Sequence, residues 1–228
     1  MRLFLSLICG ALIGAAAARA DEHVIVSGGC ALTYFEKHKP KPHDKYWGNF
    51  IDAAAARIAQ IQPAPGDQIT WLVYRPAYAA RGREENANLL AAIRLKATQT
   101  RARLFWFDSQ PELLNHLNKG ADRDRVKIAR FEYFGHSNML CLMFDYSNGL
   151  DGAAFASGIL HQNDLGKINR AIFAKTARAQ SWGCHSGESY SAEWKKRTGI
   201  PMVGAIGKTD YSRGGLPFLS SPNGKWSQ

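Results

Sequence analysis

The chain has 228 residues and a formal net charge of +10, and 46% of its residues are hydrophobic. This length and composition suit a single α/β domain with a sizeable core. The charges are scattered, and no pattern of arginines among aromatic residues is present, so we expect no nucleic-acid partner. The sequence contains neither paired metal-ligand spacing nor a glycine-rich phosphate loop, so we predict no metal and no other cofactor.

The first 20 residues have the pattern of a secretory signal peptide. A positive start at Met1-Arg2 precedes an apolar or small run over residues 3–18, and Ala18-Arg19-Ala20 supplies the small residues at a cleavage site. The apolar run is shorter than the roughly 20 residues that a membrane-spanning helix needs. We therefore expect cleavage after Ala20, a single domain over 21–228 with no transmembrane segment, and export to the periplasm or beyond the cell.

Removal of the predicted signal peptide takes away Arg2 and Arg19, which lowers the formal charge to +8. A basic exported protein is suited to contact with anionic envelope polymers. Scattered basic residues are also typical of proteins in which charge serves solubility alone. The sequence leaves both interpretations open.

Apolar runs with strand character alternate with segments of helical periodicity along the chain. Predicted strands cover 23–29, 68–75, 103–108, 126–134, 140–145, 179–183 and 200–207, and predicted helices cover 47–62, 84–102, 110–118, 162–175 and 188–199. The tail after Ser212 is rich in Gly, Pro and Ser and is predicted to be irregular. This alternation is typical of an α/β fold in three layers, with a mainly parallel sheet covered by helices on both faces.

Two residues with catalytic chemistry follow two of these predicted strands. His136 follows the strand over 126–134, and Cys184 comes 48 positions later, at the end of the strand over 179–183. A cysteine just before a helix N-terminus lies among unpaired backbone N–H groups, which favour the reactive thiolate. Because the carboxyl ends of parallel strands meet at one edge of a sheet, the pattern predicts a Cys–His dyad there.

The dyad predicts attack by Cys184 on a carbonyl carbon, with His136 as the acid and base. We expect the backbone N–H of Cys184 and that of Ser137 to stabilise the oxyanion. Gly183 and Gly187 would permit close approach of backbone and substrate.

The segment Gly183-Cys184-His185-Ser186-Gly187, paired with an earlier strand ending near His136, resembles the caspase-like (clan CD) cysteine peptidases. The resemblance is greater to the separase-like and bacterial variants than to caspases. It implies a caspase-like sandwich, a peptide or protein substrate and a Cys–His dyad without a cofactor. It also suggests Asp210 as a residue that reads a basic substrate side chain. Ser137 stands where this family usually has glycine.

Two other functions fit parts of the sequence. A caspase-like domain without turnover could serve as a binding or envelope-interaction module. The segment Gly135-His136-Ser137-Asn138-Met139 is similar to the G-x-S-x-G elbow of serine esterases, with Ser137 as nucleophile. Met139 replaces the second glycine of that motif, and the predicted strand after it replaces the expected helix.

Three cysteines remain after signal-peptide removal, Cys30, Cys141 and Cys184. In an oxidising compartment an odd number leaves at least one free thiol. A Cys30–Cys141 bond would leave Cys184 free, but the sequence does not establish that pairing.

Overall fold

The computed structural model describes residues 20–37, 44–146 and 158–227. The predicted signal peptide lies outside the described residues except for Ala20, which is the first residue of a strand. Within this part of the chain the strands are β1 (Ala20–Ser27), β2 (Gln68–Tyr74), β3 (Arg103–Phe107), β4 (Val126–Phe134), β5 (His136–Ser137), β6 (Cys141–Met143), β7 (Ile159–His161), β8 (Phe173–Ser181), β9 (Met202–Val203), β10 (Ala205–Ile206), β11 (Thr209–Asp210), β12 (Phe218–Leu219) and β13 (Lys225–Trp226). The α-helices are α1 (Thr33–Glu36), α2 (Asn49–Gln60), α3 (Arg75–Glu84), α4 (Leu89–Thr98), α5 (Gln110–Lys119) and α6 (Tyr190–Thr198).

The central sheet has six strands in the order β3-β2-β1-β4-β8-β9, and all its pairings are parallel. Side chains alternate between its two faces, as the period of a strand requires. Ile25 belongs to a buried cluster with residues of α2 and α4, whereas Val24 and Val26 belong to a second cluster with residues of α5 and α6. The predicted α/β sandwich with helices on both faces is confirmed.

The helix predicted over 84–102 is wrong at its start. Instead, α3 begins directly after β2 with Pro76 in its first turn, where a proline is tolerated. The side chain of Asn88 then accepts the N–H of Ala91 and caps α4. The predicted helix is therefore interrupted: α3 ends at Glu84, and a separate helix, α4, begins at Leu89.

The helix predicted over 162–175 is also wrong. Two short 3-10 turns, Gln162–Lys167 and Arg170–Ile172, occupy its first part, and β8 begins at Phe173. The side chain of Asn169 accepts the N–H of Ala171 and starts the second turn. Pairing with β4 takes the following residues into the sheet, and this long-range contact overrides the helical periodicity.

The strand predicted over 200–207 divides into β9, in the central sheet, and β10, which pairs with β13. The tail predicted to be irregular contains β12 and β13. These two-residue strands form small antiparallel pairs beside the carboxyl edge of the central sheet, which is the edge that carries the candidate site. A search of the described helices finds none with the length and hydropathy of a membrane span.

Candidate functional site

His136 and Cys184 leave the central sheet from neighbouring strands. Tyr133 of β4 lies opposite Ser181 of β8, and the N–H of Trp182 donates to the Tyr133 carbonyl at 2.9 Å. His136 follows three residues after Tyr133, and Cys184 follows three residues after Ser181. The fold thus brings the segments that carry both predicted catalytic residues to one edge.

The two segments are in direct contact beyond the strands. The Ser137 hydroxyl donates to the backbone carbonyl of Cys184 at 2.7 Å, and Ser137 itself is buried. A Cβ at position 183 would collide with the Ser137 side chain and would lie 2.7 Å from the Gly135 carbonyl oxygen. Glycine at 183 therefore permits this close approach.

Tyr211 closes the same junction from the C-terminal part of the chain. Its hydroxyl donates to the Trp182 carbonyl at 3.1 Å and accepts the N–H of Gly135 at 3.3 Å. Burial raises the pKa of Tyr211 well above its usual range, so the hydroxyl keeps its proton for the bond to Trp182. The hydroxyl fixes the residues directly before His136 and before Gly183.

The imidazole of His136 is held by a buried carboxylate. Its Nε2 lies 2.7 Å from Oδ2 of Asp44, whose side chain is 2% exposed. The same oxygen accepts the N–H of Ala31 at 2.7 Å. Because an ionised carboxylate only accepts hydrogen bonds, Nε2 carries the proton and Nδ1 is the basic nitrogen of the neutral ring.

Two aromatic rings fix the plane of this imidazole. The Tyr146 ring stacks on His136 at a centroid distance of 4.1 Å, and the edge of Phe50 approaches at 5.0 Å. Phe50 also meets Tyr211 at 4.9 Å. Packing of this kind restricts the ring to one orientation, which general acid–base catalysis requires.

The Cys184 sulfur is partly exposed and lies against Thr209. The Thr209 N–H donates to Sγ at 3.4 Å, and the Thr209 hydroxyl lies 3.6 Å from it. The thiol in turn donates to the Thr209 carbonyl at 3.7 Å, so Thr209 contacts the sulfur through its backbone and through its side chain. The backbone N–H of Cys184 itself makes no hydrogen bond to any described residue, so it remains available as an oxyanion donor.

Ser137 carries the second backbone N–H that the sequence predicts as an oxyanion donor. Asn138 donates its N–H to Cys141, so Ser137 opposite Leu142 is in a pair without mutual hydrogen bonds. In such a pair the N–H points away from the partner strand. The Ser137 N–H therefore points away from β6, on the residue whose hydroxyl contacts Cys184.

The helix predicted over 188–199 is present as α6, but its N-terminus is farther from Cys184 than predicted. A turn occupies 184–189, and α6 begins at Tyr190, six residues after the cysteine. Within the turn His185 has a positive φ of 59° and donates its N–H to Gly207. Its ring contacts Glu188. Because the macrodipole acts within about one turn, it contributes little at Cys184.

Gly187 is not an oxyanion donor, since its N–H is bonded to the Ala205 carbonyl at 2.9 Å. A Cβ there would collide with the backbone of Gly204, so glycine serves close backbone packing. Asp210 directly follows Thr209, and its carboxylate accepts the N–H of Ser212 at 2.7 Å. The structure therefore places Asp210 one residue from the sulfur contact, in a local turn.

Cys30, Cys141 and Cys184 are free thiols, and no disulfide joins any two of them. Burial raises the pKa of Cys30 to about 12 and that of Cys141 to about 11, so neither forms a thiolate near neutral pH. Cys184 is the most exposed of the three. No disulfide is needed to leave it free.

Sequence reasoning missed Asp44, Thr209 and Tyr211. Asp44 offered one signal, because it lies in the loop after β1, at the edge of the sheet where ligands bind. The other two depend on long-range packing. No group of three or more metal-ligating side chains occurs within the described residues.

Comparisons of this chain with protein-family models, curated proteins and solved structures gave no match. Its function has therefore to be inferred from its own residues.

Proposed function

We propose that this chain is an exported cysteine-dependent hydrolase, a peptidase that uses Cys184 as nucleophile and His136 as general acid and base. Asp44 orients the imidazole. The observation that carries the proposal is the 2.7 Å contact between Nε2 of His136 and Oδ2 of the buried Asp44 carboxylate. His136 and Cys184 follow shortly after the ends of the neighbouring strands β4 and β8. Nucleophile, base and orienting carboxylate together are the set that acyl transfer requires.

In the first step the Cys184 thiolate forms a bond to the carbonyl carbon of the substrate. The carbonyl electron pair moves to oxygen, and the backbone N–H groups of Cys184 and Ser137 stabilise the resulting oxyanion. The imidazolium of His136 then gives a proton to the leaving amine, and the C–N bond breaks. The products of this step are a free amine and a thioester on Cys184.

In the second step His136, now neutral, takes a proton from water as the water oxygen attacks the thioester. The C–S bond breaks, the acid product leaves, and the thiolate and imidazolium return. Asp44 stabilises the positive charge on the ring in both steps and holds the ring in one tautomer. No cofactor takes part in this scheme.

The proposed substrate is a peptide or protein, and the proposed family is the caspase-like cysteine peptidases. Support comes from the spacing of His136 and Cys184, from the glycines at 183 and 187, and from the parallel sheet that carries both residues. We assign no substrate pocket, and Asp210 stays a candidate reader of a basic side chain. Export, and contact with anionic envelope polymers, are supported only by the N-terminal sequence and the basic charge.

The serine esterase hypothesis has less support, because the buried Ser137 hydroxyl donates to the Cys184 carbonyl. After Ser137 the chain turns into the antiparallel strand β6, whereas the elbow of an esterase is followed by a helix. The non-catalytic binding module predicts an ordinary thiol at Cys184, and reactivity therefore decides between it and the peptidase.

The test is labelling of the mature protein with iodoacetamide across pH 5 to 9, with the rate at Cys184 measured by mass spectrometry. We expect fast labelling that persists below pH 7 and falls in H136A. The matched control is H185A, because His185 is adjacent to Cys184 but directed at Glu188, and we expect it to label like wild type. If the labelling rate in all three proteins rises with pH as expected for an ordinary thiol with a pKa of about 8.5, the peptidase proposal is overturned.

A further inference from the structure

Helix α3 lies against the loop that carries Asp44. Tyr78, Arg81 and Glu84 are spaced three residues apart, so they share one face of the helix. The Tyr78 hydroxyl donates to the Gly28 carbonyl at 2.8 Å, at the start of the loop. The Glu84 carboxylate accepts two backbone N–H groups at the start of α1. Side chains on one face of α3 therefore form hydrogen bonds with the loop backbone at several positions.

Arg81 makes the central contact of this face and is fully buried. Its Nη1 donates to the Ala31 carbonyl at 2.6 Å and to the Asp44 carbonyl at 3.0 Å. Its Nη2 lies 3.2 Å from the Lys45 carbonyl. A planar guanidinium thus joins two parts of the loop that are 13 residues apart, in a geometry that an ammonium group cannot reproduce.

Arg81 bonds the backbone of Asp44, and its charge is balanced elsewhere. Glu85 contacts Nε directly, and Glu84 lies 3.8 Å from it. The Asp44 carboxylate is left to accept from Ala31 and His136. Ala31 is therefore bonded to Arg81 through its carbonyl and to Asp44 through its N–H, which closes a ring of contacts around the carboxylate.

We propose that Arg81 is a positioning residue for the candidate site: by fixing the Ala31 and Asp44 backbones, it places the Asp44 carboxylate against the His136 ring. This inference rests on the proposed function. Arg81 makes no contact with substrate in it and acts only through Asp44. Within the described residues, the titratable and charged groups around this pair include Glu36 on α1, Cys30 after β1, Tyr78 and Arg81 on α3 with Glu84 and Glu85 at its end, Tyr146 after β6, and Tyr211 after β11.

The experiment compares R81M and R81K with D44N and with the matched control R83M, since Arg83 is exposed on the same helix. The Cys184 labelling rate is measured from pH 5 to 9, thermal unfolding is followed, and nitrogen NMR reports the His136 tautomer. Since a misplacement of about 1 Å can cost on the order of 100-fold, we expect R81M to label at pH 6 about tenfold to 100-fold more slowly. Its pH profile should approach that of D44N, with R81K between R81M and wild type.

The control R83M should keep the wild-type profile and tautomer. If R81M does not fold, R81K decides, because it keeps the buried positive charge and loses the fork between the loop ends. A folded R81 variant with the wild-type pH profile and a single His136 tautomer would overturn this inference alone. An ordinary thiol profile in wild type would overturn the proposed function, and the inference with it.

Discussion

Histidines lie near carboxylates at both edges of the central sheet, but the contacts differ. At the carboxyl edge, Nε2 of His136 lies 2.7 Å from Asp44. At the amino edge, Nε2 of His116 lies 4.0 Å from Glu22, and Nε2 of His23 lies 3.6 Å from Asp67. Those two ring nitrogens are buried and make no hydrogen bond within the described residues.

Arginine accounts for the difference at Glu22. The Glu22 Oε2 accepts a hydrogen bond from Arg123 at 2.5 Å, and the Glu22 Oε1 accepts one from Thr70 at 2.5 Å. Both carboxylate oxygens are therefore already bonded, which leaves little hydrogen-bonding capacity for His116. Burial lowers the pKa of His116, and Arg123 and Arg103 lower it further, although Glu22 opposes them. Arg81, by contrast, bonds backbone carbonyls and leaves the Asp44 carboxylate to its histidine.

The comparison shows that residue type alone does not make an acid–base site. A histidine and a carboxylate occur at both edges, and the group that takes the carboxylate oxygens decides the role of the ring. At the amino edge the arrangement stabilises the fold, with a neutral imidazole. At the carboxyl edge it leaves the Asp44 carboxylate in contact with His136, which is the pairing that the proposed acid–base role requires.

The largest expected effect is on the Cys184 labelling rate, when one aspartate at each edge of the sheet is replaced by asparagine in separate variants. D44N removes the anion beside His136, and we expect the Cys184 labelling rate at pH 6 to fall on the order of 100-fold, since an ordinary thiol is about 0.3% ionised there. D67N is the matched change beside His23, and it should leave that rate unchanged. Equal rates for D44N and wild type would contradict the role of Asp44.

A second change separates stability from reactivity. R123M leaves the Glu22 carboxylate, whose side chain is 2% exposed, without its cation, and we expect a loss of about 3–5 kcal/mol in the free energy of unfolding. The Cys184 labelling rate should not change. Urea unfolding measures the first quantity, with R125M as control, because Arg125 is 87% exposed and its pair with Asp122 contributes about 0–1 kcal/mol.

Removal of Arg123 should also raise the pKa of His116, because one of the cations that lower it is gone. Proton NMR titration of the ring measures that shift. A similar loss in R125M, or an unchanged His116 titration, would show that Arg123 does not control this edge.

The smallest effect is the pH dependence of stability. Burial is the main cause that lowers the pKa of both His23 and His116, so the unfolded chain binds more protons than the folded chain below the ordinary value near 6.5. Stability from these two rings is fully present above that value and falls as pH decreases below it. Two protons give a slope of at most about 2.7 kcal/mol per pH unit.

Urea unfolding between pH 7.5 and 5 measures this slope. The variant H116Q should reduce it, since one of the two titrating rings is then absent. H185Q is the control, because His185 lies at the surface, and it should keep the wild-type slope. An identical slope in all three proteins would show that groups other than His116 cause the pH dependence of stability.

Short-range patterns predicted much of this fold. The strand over 126–134 was predicted with the bounds that the structure has, because it alternates and ends in a buried aromatic run. The C-terminus of α6 followed from Gly199, whose φ of 80° is the left-handed value that glycine adopts readily. The prediction over 162–175 was wrong because β8 pairs with β4, whose paired residues lie 45 to 48 positions earlier in the chain.

The sequence by itself determined the alternation of strands and helices, and with it the edge at which His136 and Cys184 emerge, since parallel strands share one direction. Only the tertiary structure decided the rest of the site. Asp44 reaches His136 across 92 positions, and Thr209 and Tyr211 come from small strands and turns after the last helix. Contacts of this kind depend on where loops cross the edge of the sheet, which local propensity does not specify.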